Sequence, residues 1–356
     1  MRLPKKTVWI AAALVFLFAM TPLGAAPVRL IFDTDMGNDV DDAVALAMIH
    51  ALESRGEAKL LAVTVTKDNR WAAPFIDVMN TFYGRGDISI GVVRNGKTPE
   101  EANMIRVPAG RTRPDHSFVY PHDLTDGKDA PEATGLLRRV LSKEKDGAVV
   151  VVQVGFSTNL ARLLDSAPDD ASPLAGRALV KRKVRLLSIM GGAFPEGKPE
   201  YNIETDVPSA KKLLAEWPTP IVASGFEIGN KVVYPASSIL KDYGYVADHP
   251  LAESYREYMK MPYDRPMWDP TATLYAVRAS SFSLSPRGTI TVDDAGRTYF
   301  AASPQGSHQY LTATPEQASA ALRAIIELAS RPPDRLLPPP KERKLSRESQ
   351  PVPAAR

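Results

Sequence analysis

The chain has 356 residues, of which 44% are hydrophobic, and 44 basic side chains nearly balance 41 acidic ones to leave a net charge of +3. This small charge, without a basic stripe interleaved with aromatic residues, argues against a nucleic-acid-binding protein. The chain contains no cysteine. No disulfide framework holds the fold, so the hydrophobic core must do so.

The first 26 residues predict a secretory signal peptide. A basic start precedes an apolar core from Val8 to Met20, and small residues follow up to Ala26. The segment is too short and wrongly flanked for a lasting membrane span. Pro27 directly follows the best cleavage point, which is an unfavourable position for a proline. A retained N-terminal anchor is therefore the alternative. In either case we expect an exported protein, periplasmic or secreted, with no membrane contact once the signal is removed.

Residues 27–330 predict one α/β domain, because about 300 residues are enough for a single large core. Residues 331–356 are rich in proline and charge and contain few large apolar side chains. This composition is typical of a disordered tail.

Within the domain, short apolar runs alternate with amphipathic stretches. The runs predict strands at Val28–Asp33, Lys59–Thr66, Ile88–Val93, Ala148–Val154, Val184–Met190 and Pro220–Ser224. The stretches predict helices at Asp42–Leu52, Ala72–Tyr83, Pro131–Ser142, Asn159–Leu164, Asp206–Glu216 and Pro270–Val277. Several runs are apolar on both faces, as in a parallel sheet covered on each side. The regular β-then-α order predicts a doubly wound α/β fold with a mostly parallel sheet.

Two further segments depart from this order. Residues 255–268 are expected to contribute a helix and a loop over the functional site. Residues 282–300 contain two turn signals, Pro-Arg-Gly and Asp-Asp-Ala-Gly. They predict a small β-hairpin excursion.

The chemistry is concentrated where the first strand meets the first helix. Five aspartates lie within ten residues there: Asp33, Asp35, Asp39, Asp41 and Asp42. Ligands bind at the carboxyl edge of an open parallel sheet, so these carboxylates converge on one small volume. Helix capping explains one or two of them, but not five. Such crowding requires protonation or a cation, and clustered carboxylates select a hard ion such as Ca²⁺ or Mg²⁺.

The aspartate spacing resembles the signature of the inosine-uridine-preferring nucleoside hydrolases. Their pattern is DxDxGxDDxxA, whereas residues 33–43 are DTDMGNDVDDA, a DxDxGxDxDDA variant with a longer loop. The resemblance implies the Rossmann-like core of that family, one Ca²⁺ per subunit, and hydrolysis of the N-glycosidic bond of ribonucleosides. It implies Asp35 and Asp42 as metal ligands and Asp41 as the base that takes a proton from water. Asp39 is the competing base, because the longer loop permits either alignment.

Two strand ends carry further matches. Asn69 follows the second strand where the family has an asparagine that contacts the ribose. Thr158 lies in GFSTN after the fourth strand, which is similar to the family's GPLTN segment, whose threonine offers its backbone carbonyl to the metal. By themselves, Asn69 also fits an ordinary turn and Thr158 a helix N-cap.

The fifth strand ends in Met190-Gly-Gly, and residues 199–206 are PEYNIETD. This resembles the family's MGG and EFNxxxD segments, in which the glutamate and asparagine hydrogen-bond ribose hydroxyls. The resemblance implies Glu200 and Asn202 as ribose ligands, with Met190 and Tyr201 as further substrate-binding residues. The intervening segment is shorter than in better-known members, so how the ribose 5′ end is recognised stays open.

The last match is MWDPTA at residues 267–272, which resembles the family's HDPxA segment. Asp269 aligns with the carboxylate that completes the metal shell. Trp268 replaces the histidine that stands near the leaving base in many members. A tryptophan cannot donate a proton at neutral pH but can stack on a purine, so we expect purine nucleosides to be preferred. The alternative is that Trp268 is a packing residue.

Two other functions stay open on the sequence alone. One is an exported nucleoside- or sugar-binding protein that keeps the metal and ribose site without turnover. The other is a haloacid-dehalogenase-like phosphohydrolase, whose first motif also resembles the Asp33-x-Asp35 pair, with Asp33 as nucleophile and Asp35 as acid. The resemblance to nucleoside hydrolases also suggests a homo-oligomer and a small nucleoside as the binding partner.

Overall fold

The computed structural model describes residues 26–195 and 197–337. Residues 1–25 of the predicted signal peptide and residues 338–356 of the predicted tail lie outside this part of the chain. The described chain ends just after a 3₁₀ turn at Asp334–Leu336. Within the described ranges, no helix has the length and apolar character needed to cross a bilayer.

The strands in chain order are β1 Val28–Thr34, β2 Ala58–Lys67, β3 Ile90–Lys97, β4 Val149–Gln153, β5 Val184–Met190, β6 Ile221–Ser224, β7 Val233–Tyr234, β8 Arg265–Pro266, β9 Ser283–Leu284, β10 Gly288–Val292, β11 Thr298–Ala302 and β12 His308–Thr312. The α-helices are α1 Asp41–Ser54, α2 Ala72–Phe82, α3 Asn103–Gly110, α4 Ala133–Lys143, α5 Thr158–Asp165, α6 Gly176–Lys183, α7 Tyr201–Thr205, α8 Val207–Glu216, α9 Phe226–Gly229, α10 Ala236–Lys241, α11 Pro250–Tyr258, α12 Trp268–Val277 and α13 Pro315–Ala329.

Ten strands form one mixed sheet, and β7 pairs with β8 in a separate ribbon. Seven strands of the large sheet run parallel in the spatial order β3-β2-β1-β4-β5-β6-β12. The chain order reverses between β1 and β4. Connections on the two sides of such a reversal diverge and leave a crevice at the carboxyl ends of the strands. The aspartate cluster follows β1 and Thr158 follows β4, so both lie at this switch point.

Side chains of the central strand β1 alternate between the two faces of the sheet, and each face is covered by a layer of helices. In β1, Leu30 and Phe32 pack in one core cluster with residues of α1, α2, α12 and α13, whereas Ile31 packs in the other with residues of α4, α5, α6 and α8. Successive side chains of a strand point to opposite faces. A strand buried on both faces must therefore be apolar throughout, and the core of β4 is a run of four valines.

The predicted doubly wound fold is confirmed, with one correction at the edge of the sheet. The predicted hairpin forms from β10 and β11, but it is not an excursion, because β10 also pairs with β12, which runs parallel to β6. The pair therefore extends the main sheet. Neither β12 nor the long helix α13 was among the predicted elements. The five residues of β12, HQYLT, begin with two polar residues and give little strand signal.

Candidate active site

A cavity of about 580 Å³ opens at the switch point. Ten of the twelve side chains predicted from the sequence line it: Asp35, Asp39, Asp41, Asp42, Met190, Glu200, Tyr201, Asn202, Trp268 and Asp269. They come from the ends of β1 and β5 and from the starts of α1, α7 and α12. The fold therefore gathers segments that are more than 200 residues apart in the chain into one cavity.

Three of these carboxylates form a compact acidic cluster. Asp41 and Asp42 begin α1 and Asp269 lies in the first turn of α12, and one oxygen from each lies within 4.8 Å of the others. All three are at most 4% exposed. The two helices pack against each other with their N-terminal turns at the cavity. Helix N-termini favour negative charge, which partly offsets the burial of the carboxylates.

The cluster is held in place by its neighbours. One oxygen of Asp41 accepts hydrogen bonds from the backbone N–H groups of Trp268 and Asp269, at 2.9 and 3.0 Å. Asp42 accepts a hydrogen bond from the Thr34 hydroxyl. In both Asp41 and Asp42, the second oxygen accepts no hydrogen bond from the described chain. One oxygen of each carboxylate thus stays available to a ligand.

Burial raises the pKa of Asp35 and of the carboxyl groups in the acidic cluster. It raises the pKa of Asp35 to about 6, against the opposing effect of a hydrogen bond from Asn38 at 2.8 Å. Burial, and then repulsion from neighbouring carboxylates, raises the pKa values of Asp42 and Asp269 well above their usual range. A divalent cation would relieve this repulsion. The donors are all oxygen atoms, the ligand type that hard divalent ions select, so the residues present fit such an ion.

Two predicted residues do not line this cavity. Thr158 is buried at the start of α5, where its hydroxyl donates to Asp206. Asn69 lines a separate cavity of about 150 Å³. Its amide nitrogen donates to the carbonyl oxygens of Pro99 and Glu100, and its oxygen accepts from the backbone N–H of Trp71. Asn69 therefore stabilises a turn, the alternative to the ribose contact implied by the resemblance.

Asp33 lies behind the site rather than in it. It is fully buried and accepts hydrogen bonds from the Thr64 hydroxyl at 2.5 Å and the Asn159 amide at 2.9 Å. Burial raises the pKa of Asp33 to about 7. The side chain does not line the cavity. A nucleophile must reach its substrate, so this placement argues against the phosphohydrolase alternative.

Asp39 lines the cavity, but its carboxylate is already engaged. Arg265 donates to both oxygens, from Nε at 3.0 Å and from Nη2. The backbone N–H of Val40 also donates to Asp39, at 2.6 Å. A carboxylate held in a bidentate pair with arginine has both oxygens occupied as hydrogen-bond acceptors. The geometry therefore argues against Asp39 as the base and leaves Asp41.

Glu200 and Asn202 are fixed by backbone groups. The Glu200 carboxylate caps α7 and accepts from the backbone N–H groups of Gly192, Asn202 and Ile203, at 3.0 to 3.3 Å. Burial nevertheless raises its pKa to about 7. The Asn202 amide nitrogen donates to the carbonyl oxygens of Val154 at 2.9 Å and Met190 at 3.3 Å. The Asn202 oxygen accepts no hydrogen bond from the described residues, which leaves it available to a ligand hydroxyl.

Trp268 belongs to an aromatic wall of the cavity. Its ring stacks on Phe226 with centroids 5.7 Å apart and planes 20° apart, and its indole N–H donates to the Phe226 carbonyl oxygen at 3.0 Å. Gly229 leaves room for the indole, because a Cβ there would lie 2.1 Å from a Trp268 ring atom. Trp268 is thus both packed and in contact with the cavity.

Sequence reasoning did not single out eight residues of the cavity: Asn38, Val154, Lys198, Pro199, Glu204, Phe226, Tyr258 and Arg265. Phe226 follows β6 at the same edge of the sheet, so the strand-end pattern contained its signal. Asn38 is part of the longer loop. Tyr258 ends α11 and Arg265 begins β8. Both lie within residues 255–268, which were predicted to cover the site, but the sequence singled out neither side chain.

Comparison with known proteins identifies a family. The sequence profile described as "Inosine-uridine preferring nucleoside hydrolase" matches residues 30–326. The chain is 30% identical over 220 residues to the "Pyrimidine-specific ribonucleoside hydrolase RihA" of Enterobacter sp. (strain 638), covering 57% of this chain and 61% of that protein. It is 29% identical over 217 residues to the protein of the same name from Citrobacter koseri, with the same coverage. The chain thus spans about three fifths of the length of these relatives.

Solved structures share the fold at lower identity. An inosine-uridine preferring nucleoside hydrolase from Bacillus anthracis superposes with a TM-score of 0.62 at 18% identity, covering 85% of this chain and 99% of that one. A purine-preferring ribonucleoside hydrolase from Gardnerella vaginalis gives a TM-score of 0.62 at 17% identity, with the same coverage. At such identities the likeness concerns the fold alone.

Proposed function

The chain belongs to the inosine-uridine preferring nucleoside hydrolase family, and we propose that it hydrolyses the N-glycosidic bond of ribonucleosides to free base and ribose. One observation carries the proposal. The buried carboxylates of Asp41, Asp42 and Asp269 share a cavity with the fixed polar groups of Glu200 and Asn202. A reaction through an oxocarbenium-like sugar needs a nucleophilic water on one side and a held sugar on the other.

We propose that one Ca²⁺ per chain occupies the acidic cluster. Its ligands would be Asp35, Asp42, Asp269 and the backbone carbonyl of Thr158, the set that the family resemblance implies, and the carboxylates of Asp42 and Asp269 lie within 4.8 Å of each other. The six to eight oxygen ligands that Ca²⁺ takes match a site with this many carboxylates. When bound, such an ion orients a water molecule and lowers its pKa.

In this proposal Asp41 takes the proton of the attacking water. Two backbone N–H groups fix one of its oxygens, and the other is available to the cavity. Burial raises the pKa of Asp41 well above its usual range, which makes the carboxylate a stronger base than an exposed aspartate. Asp39 lacks this freedom, because Arg265 occupies both of its oxygens.

Glu200 and Asn202 would hold the ribose. Each carboxylate oxygen has two lone pairs, and the three backbone hydrogen bonds use both of Oε2 and one of Oε1. Glu200 can therefore accept from one sugar hydroxyl through Oε1 while it keeps its backbone hydrogen bonds. Because the nitrogen of Asn202 is committed to Val154 and Met190, its oxygen is the atom left for a hydroxyl. Met190 and Tyr201 line the cavity beside them. Two fixed acceptors orient a vicinal diol and lower the entropic cost of reaction.

For the leaving base, we propose a preference for purines. Trp268 and Phe226 offer apolar ring surface in the cavity, and the larger purine ring system gains more from stacking. The relatives named above carry the description "pyrimidine-specific". A measured base preference therefore distinguishes this proposal from the pyrimidine specificity that the names of the relatives would suggest.

We also propose that the mature protein is exported and assembles as a homo-oligomer. The sequence of residues 1–26 motivates export, and the family resemblance motivates assembly. Cell fractionation of the full-length chain and light scattering of the purified protein test these two points separately. Recovery of the full-length protein in the cytoplasm, or a monomer at micromolar concentration, would contradict them.

The central experiment follows free base from a panel of inosine, guanosine, uridine and cytidine. The purified protein is treated with chelator and then assayed with and without added Ca²⁺, beside an Asp42→Ala variant. We expect base release by wild-type protein with Ca²⁺ and none by the variant. Nucleoside binding without release would favour the binding-protein alternative, and full activity in chelator would contradict the role of the ion.

A further inference from the structure

Arg265 is a charged side chain of the cavity to which the proposed reaction gives no role. Its guanidinium is held from several sides at the cavity wall. Nε and Nη2 donate to Asp39, and Nη2 also donates to the Tyr258 hydroxyl at 2.9 Å. The central carbon of the guanidinium lies 5.1 Å from the centroid of the Tyr258 ring and 5.2 Å from that of Trp268. These contacts fix the position of a charged group whose side chain is 23% exposed.

One end of this guanidinium is available. An arginine carries five N–H donors in a rigid fork. The single N–H of Nε and the two of Nη2 account for the hydrogen bonds to Asp39 and Tyr258. Nη1 donates to no residue that the structure describes, and Arg265 lines the cavity. Two N–H groups with a positive charge are therefore free to bind an acceptor beside the indole ring of Trp268.

The leaving base requires such a group. When the bond between C1′ and the base nitrogen breaks, the electron pair stays on the nitrogen and the base becomes negatively charged. Trp268 cannot protonate it, because an indole N–H is not an acid near neutral pH and this one donates to a backbone carbonyl. Fixed donors aimed at developing charge lower a barrier without proton transfer, because they need no reorganisation during the reaction.

We propose that Arg265 is a catalytic residue that stabilises the departing base as an anion by hydrogen bonds from Nη1, and that Asp39 is the positioning residue that holds it there. The inference rests on the proposed function. The water oxygen bonds to C1′, its proton passes to Asp41, and the electron pair of the broken bond remains on the base. The base takes a proton from solvent after it leaves, and Arg265 keeps its charge throughout.

The chemistry of the pair supports this assignment. Burial lowers the pKa of the Arg265 guanidinium, but the hydrogen bonds and charge of Asp39 outweigh burial and hold the pKa above its usual value. A permanently charged donor suits charge stabilisation and excludes general acid catalysis. A lysine lacks the planar fork that serves Asp39 and a ligand at the same time, so lysine should not replace this arginine.

The test compares two substrates whose leaving groups need different amounts of help. Inosine loses a base anion that is poorly stabilised by itself. In contrast, 4-nitrophenyl β-D-ribofuranoside loses a nitrophenolate that is stable without hydrogen bonds from the protein. We expect Arg265→Gln to lower kcat on inosine by about 100- to 1,000-fold, the usual cost of removing one fixed donor. On the nitrophenyl riboside we expect a loss of less than about tenfold. Arg265→Lys should behave like Arg265→Gln, and Arg256→Gln, at an exposed arginine of α11, is the matched control.

A second variant keeps the test decisive if Arg265→Gln does not fold. Asp39→Asn loosens the arginine and should cause the same selective loss on inosine, smaller in size. Combining it with Arg265→Gln should add no further loss, since both substitutions act on the same hydrogen-bond donor. Equal losses on both substrates, or none on inosine, would overturn the inference. If wild-type protein releases neither hypoxanthine nor nitrophenolate, the proposed function itself fails, and that outcome is distinct.

Discussion

The buried ammonium of Lys67 donates a hydrogen bond to the side-chain oxygen of Asn38 at 2.8 Å. The amide nitrogen of Asn38 in turn donates to Asp35, also at 2.8 Å. An amide side chain has one accepting and one donating end, so the lysine determines which end of Asn38 faces Asp35. Lys67 is 3% exposed and makes a second hydrogen bond to the Thr98 carbonyl oxygen at 2.7 Å. A cation is thus built into the protein beside the acidic cluster.

We expect Lys67→Met to destabilise the ion-free protein by about 2 to 4 kcal/mol. The change removes two hydrogen bonds from a charged donor and leaves their acceptors without a partner. It also removes a positive charge that lowers the pKa of Asp35. Added Ca²⁺ should therefore raise the Tm of the variant more than that of wild-type protein, since the ion replaces the missing charge.

Lys59→Met is the matched control for this prediction. Lys59 lies on the same strand, but its side chain is 52% exposed and its ion pair with Glu53 is at the surface. Exposed pairs contribute little, so the control should unfold within about 0.5 kcal/mol of wild-type protein. Thermal and denaturant unfolding in chelator measure both variants. Equal stabilities of the two variants would show that the buried lysine is not a structural counter-ion.

The second prediction concerns pH and Asp35. Its folded pKa of about 6 lies above its unfolded value, so its contribution to stability is fully present below pH 4 and is lost as the pH rises through 6. In chelator, Asp35→Asn should therefore be more stable than wild-type protein at pH 8, by about 1 to 3 kcal/mol. This advantage should disappear at pH 4.

Calcium should reverse the order of the two proteins at pH 8. The ion binds the ionised carboxylates of wild-type protein, whereas the variant has lost one ligand. Guanidinium unfolding at pH 4 and pH 8, with chelator or with Ca²⁺, gives the four comparisons. A variant that is less stable than wild-type protein in chelator at pH 8 would contradict the argument from charge crowding.

How much of this site follows from the sequence depends on how local each signal is. The aspartates, Glu200, Asn202 and Asp269 were predicted because each stands beside a strand end or helix start that its own neighbours in the chain specify. The parallel sheet then has little freedom in where such ends meet. The same logic placed the site at the carboxyl edge of the sheet, and the structure shows that it lies between β1 and β4.

Residues whose role depends on a distant partner were not predicted. Lys67 ends β2, but only the packed structure shows that its ammonium reaches Asn38, which lies 29 positions earlier. Arg265 meets Asp39 across 226 positions, and that contact occupies both oxygens of a residue that the sequence offered as a candidate base. Asn69 is the opposite case. Its motif matched, but nearby carbonyl groups of residues 99 and 100 satisfy its amide instead.

The third prediction tests Glu200 as the residue that recognises the ribose. Glu200→Ala should lower kcat/KM for inosine by at least about 100-fold, because sites built to hydrogen-bond hydroxyls lose orders of magnitude when a partner is missing. The ratio of kcat/KM for inosine to that for 2′-deoxyinosine should shrink at the same time. Glu257→Ala is the control, at an exposed glutamate of α11 that does not line the cavity. Wild-type kinetics on inosine, or an unchanged ratio, would remove Glu200 from the sugar site.

The last prediction concerns Trp268 and the choice of base. Stacking on one aromatic ring contributes about 1 to 3 kcal/mol, enough for roughly a tenfold to hundredfold preference if it acts in the transition state. We therefore expect wild-type protein to cleave inosine and guanosine faster than uridine. Trp268→Ala should reduce the purine rates more than the uridine rate.

Whether Trp268→Ala changes KM or kcat distinguishes stacking in the ground state from stacking in the transition state. If stacking acts only in the ground state, the variant raises KM and leaves kcat unchanged, whereas stacking realised in the transition state lowers kcat. Trp268→Phe supplies the control, because a phenyl ring keeps an aromatic face toward Phe226 but loses the hydrogen bond to its carbonyl oxygen. Equal losses on inosine, guanosine and uridine would identify Trp268 as a packing residue. Wild-type turnover of uridine faster than that of inosine would place this chain with its pyrimidine-specific relatives and exclude the purine preference.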